Sequence, residues 1–225
     1  VPAYVKDNDH VKGYPTQFGT GAFKAKPADK TSEYVKQMLS TGLGLIGKST
    51  MPELGLICSA ENEKWGITRN PWSTDHTPGG SSSGSGALVA SGVVAIAQAN
   101  DGAGSTRIPA ACCGLVGLKP SRNRLINFDG SDILPINIGY NGVLTRSVRD
   151  TAAFYSEAEK FYKNSKLPAM GHVKYPLKKR LKFAFMENSA IGATGRTDDD
   201  TFKVLLDTVK LLESLGHEVE QIAIP

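Results

Sequence analysis

The stretch from Pro78 to Pro120, PGGSSSGSGALVASGVVAIAQANDGAGSTRIPAACCGLVGLKP, constrains the fold of this chain more than any other. Two turns of glycine and serine, PGGSSSGSG and NDGAGS, flank an apolar segment able to bury itself. Glycine opens backbone conformations closed to other residues and lets main-chain amides approach a bound group, while serine leaves a hydroxyl uncovered. The second turn ends on Ser105 and runs through Thr106 and Arg107 to Pro109, which suits the first turn of a helix. A hydroxyl at such a junction is placed to attack an electrophile, and whatever activates it has to come from elsewhere in the chain.

Around this stretch the apolar pattern alternates between two periods. Residues 1–11 (VPAYVKDNDHV) alternate apolar and polar side chains around Lys6, as a half-buried strand does. Residues 31–41 place Tyr34, Val35, Met38 and Leu39 on one helical face, with Gly42 as a stop. Leu43 to Ile46 reads as a buried strand and Met51-Pro52-Glu53 as another helix start. Residues 58–77 are polar and turn-rich, either a packed surface loop or a pocket rim carrying Trp65 and Trp72. A small-residue helix is expected from Ala87 to Ala97, leading into a short strand over Ile96 to Ala99, and another short strand at Leu115 to Leu118. Residues 123–142 read as loop, 147–162 as helix and 163–179 as a linker or excursion. A strand over Leu181 to Met186, a helix from Asp199 to Leu215 and a strand from Glu218 to Ile224 complete the chain. Strands alternating with helices predict an α/β fold, a mixed central sheet flanked by helices.

Composition excludes several classes. The chain has 225 residues, 40% hydrophobic and 21% charged, the balance of a globular protein with a sizeable core. Lys plus Arg exceeds Asp plus Glu by 26 to 22. The basic cluster Lys174, Lys178, Lys179, Arg180 and Lys182 lacks the row of interleaved aromatic residues of a nucleic-acid platform, so no nucleic-acid partner is expected. No run of about 18 apolar residues marks a membrane span. Cys58, Cys112 and Cys113 form no disulfide framework, which fits a reducing compartment such as the cytoplasm, although a signal preceding Val1 would not be visible. No metal-ligating cluster or cofactor motif is expected. Gly42 to Ser49 (GLGLIGKS) does match the phosphate-loop pattern of nucleotide-binding proteins, but a helix precedes it and Pro52 interrupts the helix that such a loop should open into.

Four readings compete for the nucleophile. Gly80 to Gly84 satisfies G-x-S-x-G around Ser82, but the strand that motif needs just before it is absent, and His172 and His217 are poorly placed as bases. Cys113 sits in the apolar run AACCGLVG, which raises a thiol pKa and makes it inert. The serine-rich turn could be a flexible linker, though a linker need not lead into a buried helix. The fourth reading is a serine activated by lysine. Lys6, buried by fold closure, would lose its charge near neutral pH and act as a base, with an intervening hydroxyl passing the proton along.

The segments VPAYVKD, GKSTMPELG, TRNPW, PGGSSSGSG, NDGAGSTRIPA and CGLVGLKP, in this order, resemble the amidase signature family. The separations of 75 residues from Lys6 to Ser81 and 24 from Ser81 to Ser105 agree with it. Carried onto these positions, the resemblance implies Ser105 as nucleophile, Ser81 as bridging serine after a cis peptide bond from Gly80, and Lys6 as base. It also implies an oxyanion hole from the backbone amides of Gly102, Ala103, Gly104 and Ser105, with Ser82, Asp101 and Arg107 supporting the turns. The expected activity is hydrolysis of a small-molecule carboxylic amide without a cofactor.

The motifs look more like stand-alone amidases, including 6-aminohexanoate cyclic-dimer hydrolases, than like the glutaminase subunit of a tRNA-dependent amidotransferase, which is the alternative. A nucleotide-binding protein and an inactive scaffold remain as readings of other classes. Most family members carry glycine where Ser83 stands. The resemblance spans residues 1–225 as one domain, about the central half of a full-length member and truncated at both ends. A homo-oligomer or a missing segment is therefore expected to cover an exposed sheet.

Overall fold

The computed structural model describes residues 1–129, 131, 136–187 and 197–223, which fall into two compact units, Val1–Lys174 and Tyr175–Pro225. The boundary lies inside the expected excursion 163–179. Ile224, the expected end of the last strand, lies outside the described residues.

In the first unit the strands are β1 (Pro2–Lys6), β2 (Gly44–Ser49), β5 (Ile96–Asp101), β6 (Val116–Gly117) and β7 (Tyr140–Thr145). They form a sheet in the order β2-β1-β5-β7-β6. β1 pairs in parallel with β2 and β5, whereas β7 runs antiparallel to β5 and β6, so the sheet is mixed. A separate small hairpin joins β3 (Glu61–Asn62) to β4 (Gly66–Ile67).

Alternation along the strands sends side chains to two helical layers. Ala3, Val5, Ile96 and Val143 pack with Tyr34, Val35 and Met38 of α1 (Glu33–Ser40) and with Phe154, Tyr155 and Ala158 of α4 (Val148–Phe161). The spacing of those helical residues is the i, i+1, i+4 stripe that makes a helix bury one face. Ser147 caps α4 by accepting from the Asp150 amide at 3.1 Å. Polar ends that enter this layer are satisfied. Tyr34 Oη donates to the Gly142 carbonyl at 2.8 Å, and Gln37 Nε2 to that of Ala158 at 3.0 Å.

The opposite face holds Ala97, Ala99 and Leu144 against Val89 of α2 (Ser83–Ala90) and Ala110 of α3 (Arg107–Cys113), with Tyr4 packed alongside. Here α2 begins at Ser83, four residues before the helix expected from Ala87, and ends at Ala90. Glycine and serine are poor helix formers, and close packing overrides that preference. Ser83, Gly84, Ser85 and Gly86 are all buried, and a Cβ on Gly84 would stand 2.4 Å from the Thr50 amide nitrogen. Only small residues allow α2 this close to the end of β2.

Three further expectations change. β2 is longer than expected and only partly buried, as an edge strand is. Residues 140–145 form a strand in which all six are buried, where the sequence pattern predicts loop up to Gly142. The expected helix start at Met51-Pro52-Glu53 is a single 3-10 turn, Glu53–Gly55.

The second unit is a βαβ arrangement. β8 (Lys182–Phe185) and β9 (Glu218–Gln221) pair in parallel, and α5 (Asp199–Ser214) lies between them in sequence. Asp198 caps α5 by accepting from the Thr201 amide at 3.0 Å. Phe202, Leu205, Leu206, Val209 and Leu212 are half-buried along the helix, the stripe expected from their period.

Candidate active site

β1, β2 and β5 are mutually parallel through β1, so their carboxyl ends lie at one edge of the sheet. Lys6 ends β1, Ser49 ends β2 and Asp101 ends β5. The two glycine-serine turns arrive at this edge as the approaches to α2 and α3. The carboxyl edge of parallel strands is where such sheets gather functional groups.

Lys6 is fully buried. Its Nζ lies 2.7 Å from Ser81 Oγ and 2.7 Å from Asn100 Oδ1. Its main-chain amide donates to Gln98 Oε1 at 2.7 Å, which fixes the strand from which the side chain extends. Burial brings the ammonium down to about 7, against the opposing pull of Asp9 and Asp101. Gln98 Nε2 in turn donates to the buried Asp9 Oδ2, and burial pushes the Asp9 carboxyl above its usual range. An amine that is neutral near pH 7 carries a lone pair, so it can accept a proton from Ser81 while donating to Asn100.

The peptide bond between Gly80 and Ser81 is cis. Ser81 is almost fully buried, and the next residue ties this turn to the other one: the Ser82 amide donates to the Ser105 carbonyl at 3.2 Å. Ser82 thus acts through its main chain, since its hydroxyl is buried without a partner among the described residues. Ser105 itself is half-buried.

Asp101 organises the second turn. Its Oδ1 accepts from the Gly104 amide at 2.8 Å and from Arg107 Nη2 at 2.9 Å. Its Oδ2 accepts from Arg107 Nε at 2.9 Å and from the amides of Thr106 and Arg107 at 3.2 Å each. Burial works against the charge of Asp101, but the hydrogen bonds from Arg107 and Thr106 hold its carboxyl at about 2. Of the four amides expected to face an oxyanion, that of Gly104 is therefore engaged by a carboxylate. The amides of Gly102, Ala103 and Ser105 are not among those that Asp101 holds. Asp101 takes the fourth because a buried carboxylate gathers donors from the loop that encloses it.

Several neighbours were not singled out by sequence. Asn100 and Gln98 interrupt a small-residue strand, and amide side chains in a buried strand signal partners. Asp9 lies three residues after the lysine. Lys119 Nζ donates to the Gly102 carbonyl at 2.6 Å, bracing the turn from outside. The loop of residues 58–77 splits between its two readings. Trp72 Nε1 donates to the Cys113 carbonyl at 2.8 Å, a structural bond, whereas Trp65 lines a cavity.

The competing motifs find other uses. Within GLGLIGKS, Gly44–Ser49 form the edge strand β2 in place of a phosphate loop, and Lys48 Nζ contacts Asp7 Oδ1 at 3.2 Å and Thr16 Oγ1 at 2.6 Å. Cys113 is buried beside Pro78, and burial with the nearby Cys112 pushes its thiol to about 11. All three cysteines are free. Among the described residues no helix is long and apolar enough to cross a membrane, and no group of three or more His, Cys, Asp or Glu could hold a metal ion.

The chain is similar to known proteins over its whole length. The family model described as Amidase matches residues 1–225. The Mycobacterium tuberculosis protein named "Putative amidase AmiC" is 50% identical over all 225 residues, which cover 47% of its own length. The structure of 6-aminohexanoate cyclic dimer hydrolase superposes with a TM-score of 0.79 at 30% identity, covering 99% of this chain and 48% of that one. A glutamyl-tRNA(Gln) amidotransferase subunit from Thermotoga maritima gives 0.79 at 27% identity, over 100% and 50%. The chain thus spans about half the length of the relatives it matches. With a family model matched from first residue to last and a mixed α/β sheet of the same architecture, the chain belongs to the amidase signature family.

Proposed function

We propose that the protein of which these residues form the site hydrolyses a carboxylic amide through an acyl-enzyme on Ser105. The observation that carries this reading is the buried Lys6, 2.7 Å from Ser81 and with its ammonium lowered to about 7. Ser105 Oγ attacks the amide carbonyl and passes its proton to Ser81, whose own proton goes to the Lys6 amine. The proton returns by the same route to the leaving nitrogen, the C–N bond breaks, and water repeats the sequence to release the acid. The amides of Gly102, Ala103 and Ser105 face the developing oxyanion, and Asp101 with Arg107 holds them in place. Every proton is moved by groups of this chain, so the steps call for no cofactor.

A fluorophosphonate probe followed by peptide mapping tests the reading. Labelling is expected on Ser105, absent in Ser105→Ala and strongly slowed in Lys6→Ala. Labelling that persists in both variants overturns it. The likeness to both solved structures is equal in TM-score, so fold does not choose between a stand-alone amidase and a glutamine-dependent subunit. The segment AENEKWGITRNPW and the turn NDGAGSTRIPA, which look more like those of stand-alone amidases, favour the stand-alone amidase. Turnover of a plain anilide without ammonia release from glutamine is the expected outcome.

A further inference from the structure

A cavity of about 500 Å³ opens beside the carboxyl ends of β1 and β2. Tyr14, Met51, Ala60 and Trp65 give it apolar walls. Three lysines line it, Lys24, Lys48 and Lys64, against one carboxylate, Asp7. Lys48 is answered by Asp7 and Thr16. Lys24 and Lys64 are exposed and form no ion pair among the described residues, and Lys64 Nζ stands over the Trp65 ring at 4.9 Å.

The wall of this cavity is shared with the candidate active site. Ser49, Thr50 and Met51 line it, and the first two of these hold the serine-rich turn. Ser49 Oγ lies 2.7 Å from Ser85 Oγ, and the Thr50 carbonyl accepts from the Gly84 amide at 3.0 Å. At Gly55, a Cβ would lie 3.2 Å from Met51 Cε and 3.4 Å from Ser81 Oγ, so Met51 and Ser81 converge on one glycine.

We propose that this cavity is a binding site for an apolar carboxylate, with its hydrocarbon against Trp65, Tyr14 and Met51 and its charge at Lys24 and Lys64. An apolar chamber with a few convergent polar groups is the usual form of a small-molecule site. The excess of cations at its mouth selects the sign of the ligand, because a cationic head group would meet two like charges without a counter-ion. The ligand is either the far end of the amide substrate or a free carboxylic acid, two sources with one chemistry.

Binding does not depend on hydrolysis, so it is measured in Ser105→Ala protein carrying Trp72→Phe, which leaves Trp65 as the one tryptophan of residues 1–225. Octanoate is expected to raise the melting temperature and change Trp65 emission, with octylamine causing neither. Lys24→Ala with Lys64→Ala is expected to weaken octanoate binding about tenfold or more. Equal responses to octanoate and octylamine, no response to octanoate at about 10 mM, or undiminished binding in the double lysine variant would each overturn the site. The source is read in protein with Ser105 intact, by comparing hydrolysis of hexanamide with that of the monoamide of hexanedioate. A preference for the charged amide that disappears in the double lysine variant assigns the cavity to the substrate's far end. An unchanged ratio, with octanoate still bound, assigns it to a free acid.

Discussion

Lys6 Nζ and Ser81 Oγ lie 2.7 Å apart across 75 residues of sequence, with the lysine fully buried and the serine nearly so. The contact exists because β1 and the approach to α2 both end at the carboxyl edge of the parallel strands. It has two opposite consequences, one for rate and one for stability.

For rate, the reacting form of Lys6 is the neutral amine. Its ammonium is lowered to about 7, so the fraction of base rises as pH passes through that value. The pH profile of kcat/KM for an uncharged amide is expected to climb tenfold per pH unit below about 7 and to flatten above it. Lys6→Ala should lower kcat by about 10²–10⁴ and remove the inflection. A wild-type profile without an inflection between about pH 6 and 8 would remove Lys6 from the role of base.

For stability, the same shift is a penalty. The folded chain holds the lysine proton less tightly than the unfolded one, whose lysine titrates near its ordinary 10.5. Unfolding therefore takes up a proton between about 7 and 10.5, and the penalty is complete below that window and gone above it. Lys6→Met, which fills a similar volume without a charge, should stabilise the fold at pH 6 by roughly 2–4 kcal/mol after the lost hydrogen bonds to Ser81 and Asn100 are counted. The gain should shrink towards zero near pH 10. Urea titrations at the two pH values measure it, and a gain independent of pH would show that packing, not charge, is responsible.

Asp101 carries the opposite sign. Its carboxyl titrates at about 2 in the fold, below the ordinary 3.8, so its contribution is present above about 3.8 and lost as pH falls through about 2. Asp101→Asn puts an NH₂ group against either the two donors now at Oδ1 or the three at Oδ2. The expected loss at pH 7 is about 2–3 kcal/mol, narrowing as pH falls from about 3.8 through about 2. Because the Gly104 amide and Arg107 depend on this carboxylate, the turn loosens and kcat should fall by more than KM rises. A variant with normal kcat at 25 °C would mean that the turn keeps its shape without Asp101.

How much of this was legible in the sequence depends on what each residue answers to. Lys6 and Ser105 stood out because a lysine in an apolar strand and a serine at a turn-to-helix junction are chemically conspicuous, whereas Ser81 was told from its serine neighbours only by the family resemblance. The helices α4 and α5 were legible because one buried face imposes a period on the sequence. β7 was not, since a strand buried on both faces has no alternation, and its Asn141-Gly142 pair resembles a turn. Gly142 is there for packing: a Cβ would stand 2.9 Å from Tyr155 Oη and 3.2 Å from the Leu118 carbonyl. The start of α2 was missed for a related reason. Its first residues satisfy a neighbouring backbone, and no local helix signal records that. Asn100 and Asp9 bear on Lys6 through contacts that only the assembled sheet creates.

The close approach of α2 to β2 gives the last expectation. A Cβ at Gly84 would lie 2.4 Å from the Thr50 nitrogen, 2.5 Å from its Oγ1 and 2.9 Å from its carbonyl oxygen, two of them backbone atoms that no rotamer change can move. Alanine is the better helix former by about 1 kcal/mol, so an isolated helix would gain from Gly84→Ala. Here the overlap should dominate, giving a net loss of about 1–3 kcal/mol and a fall in activity, because Thr50 and the Ser81 turn are pushed apart. Gly44→Ala is the matched control: it has no atom within 4 Å of the new Cβ and no positive φ, so its change should stay within about 0.5 kcal/mol. Denaturation midpoints of the two variants, with unchanged slopes, decide the matter. A Gly84→Ala protein as stable as the control would mean that α2 does not rest on Thr50.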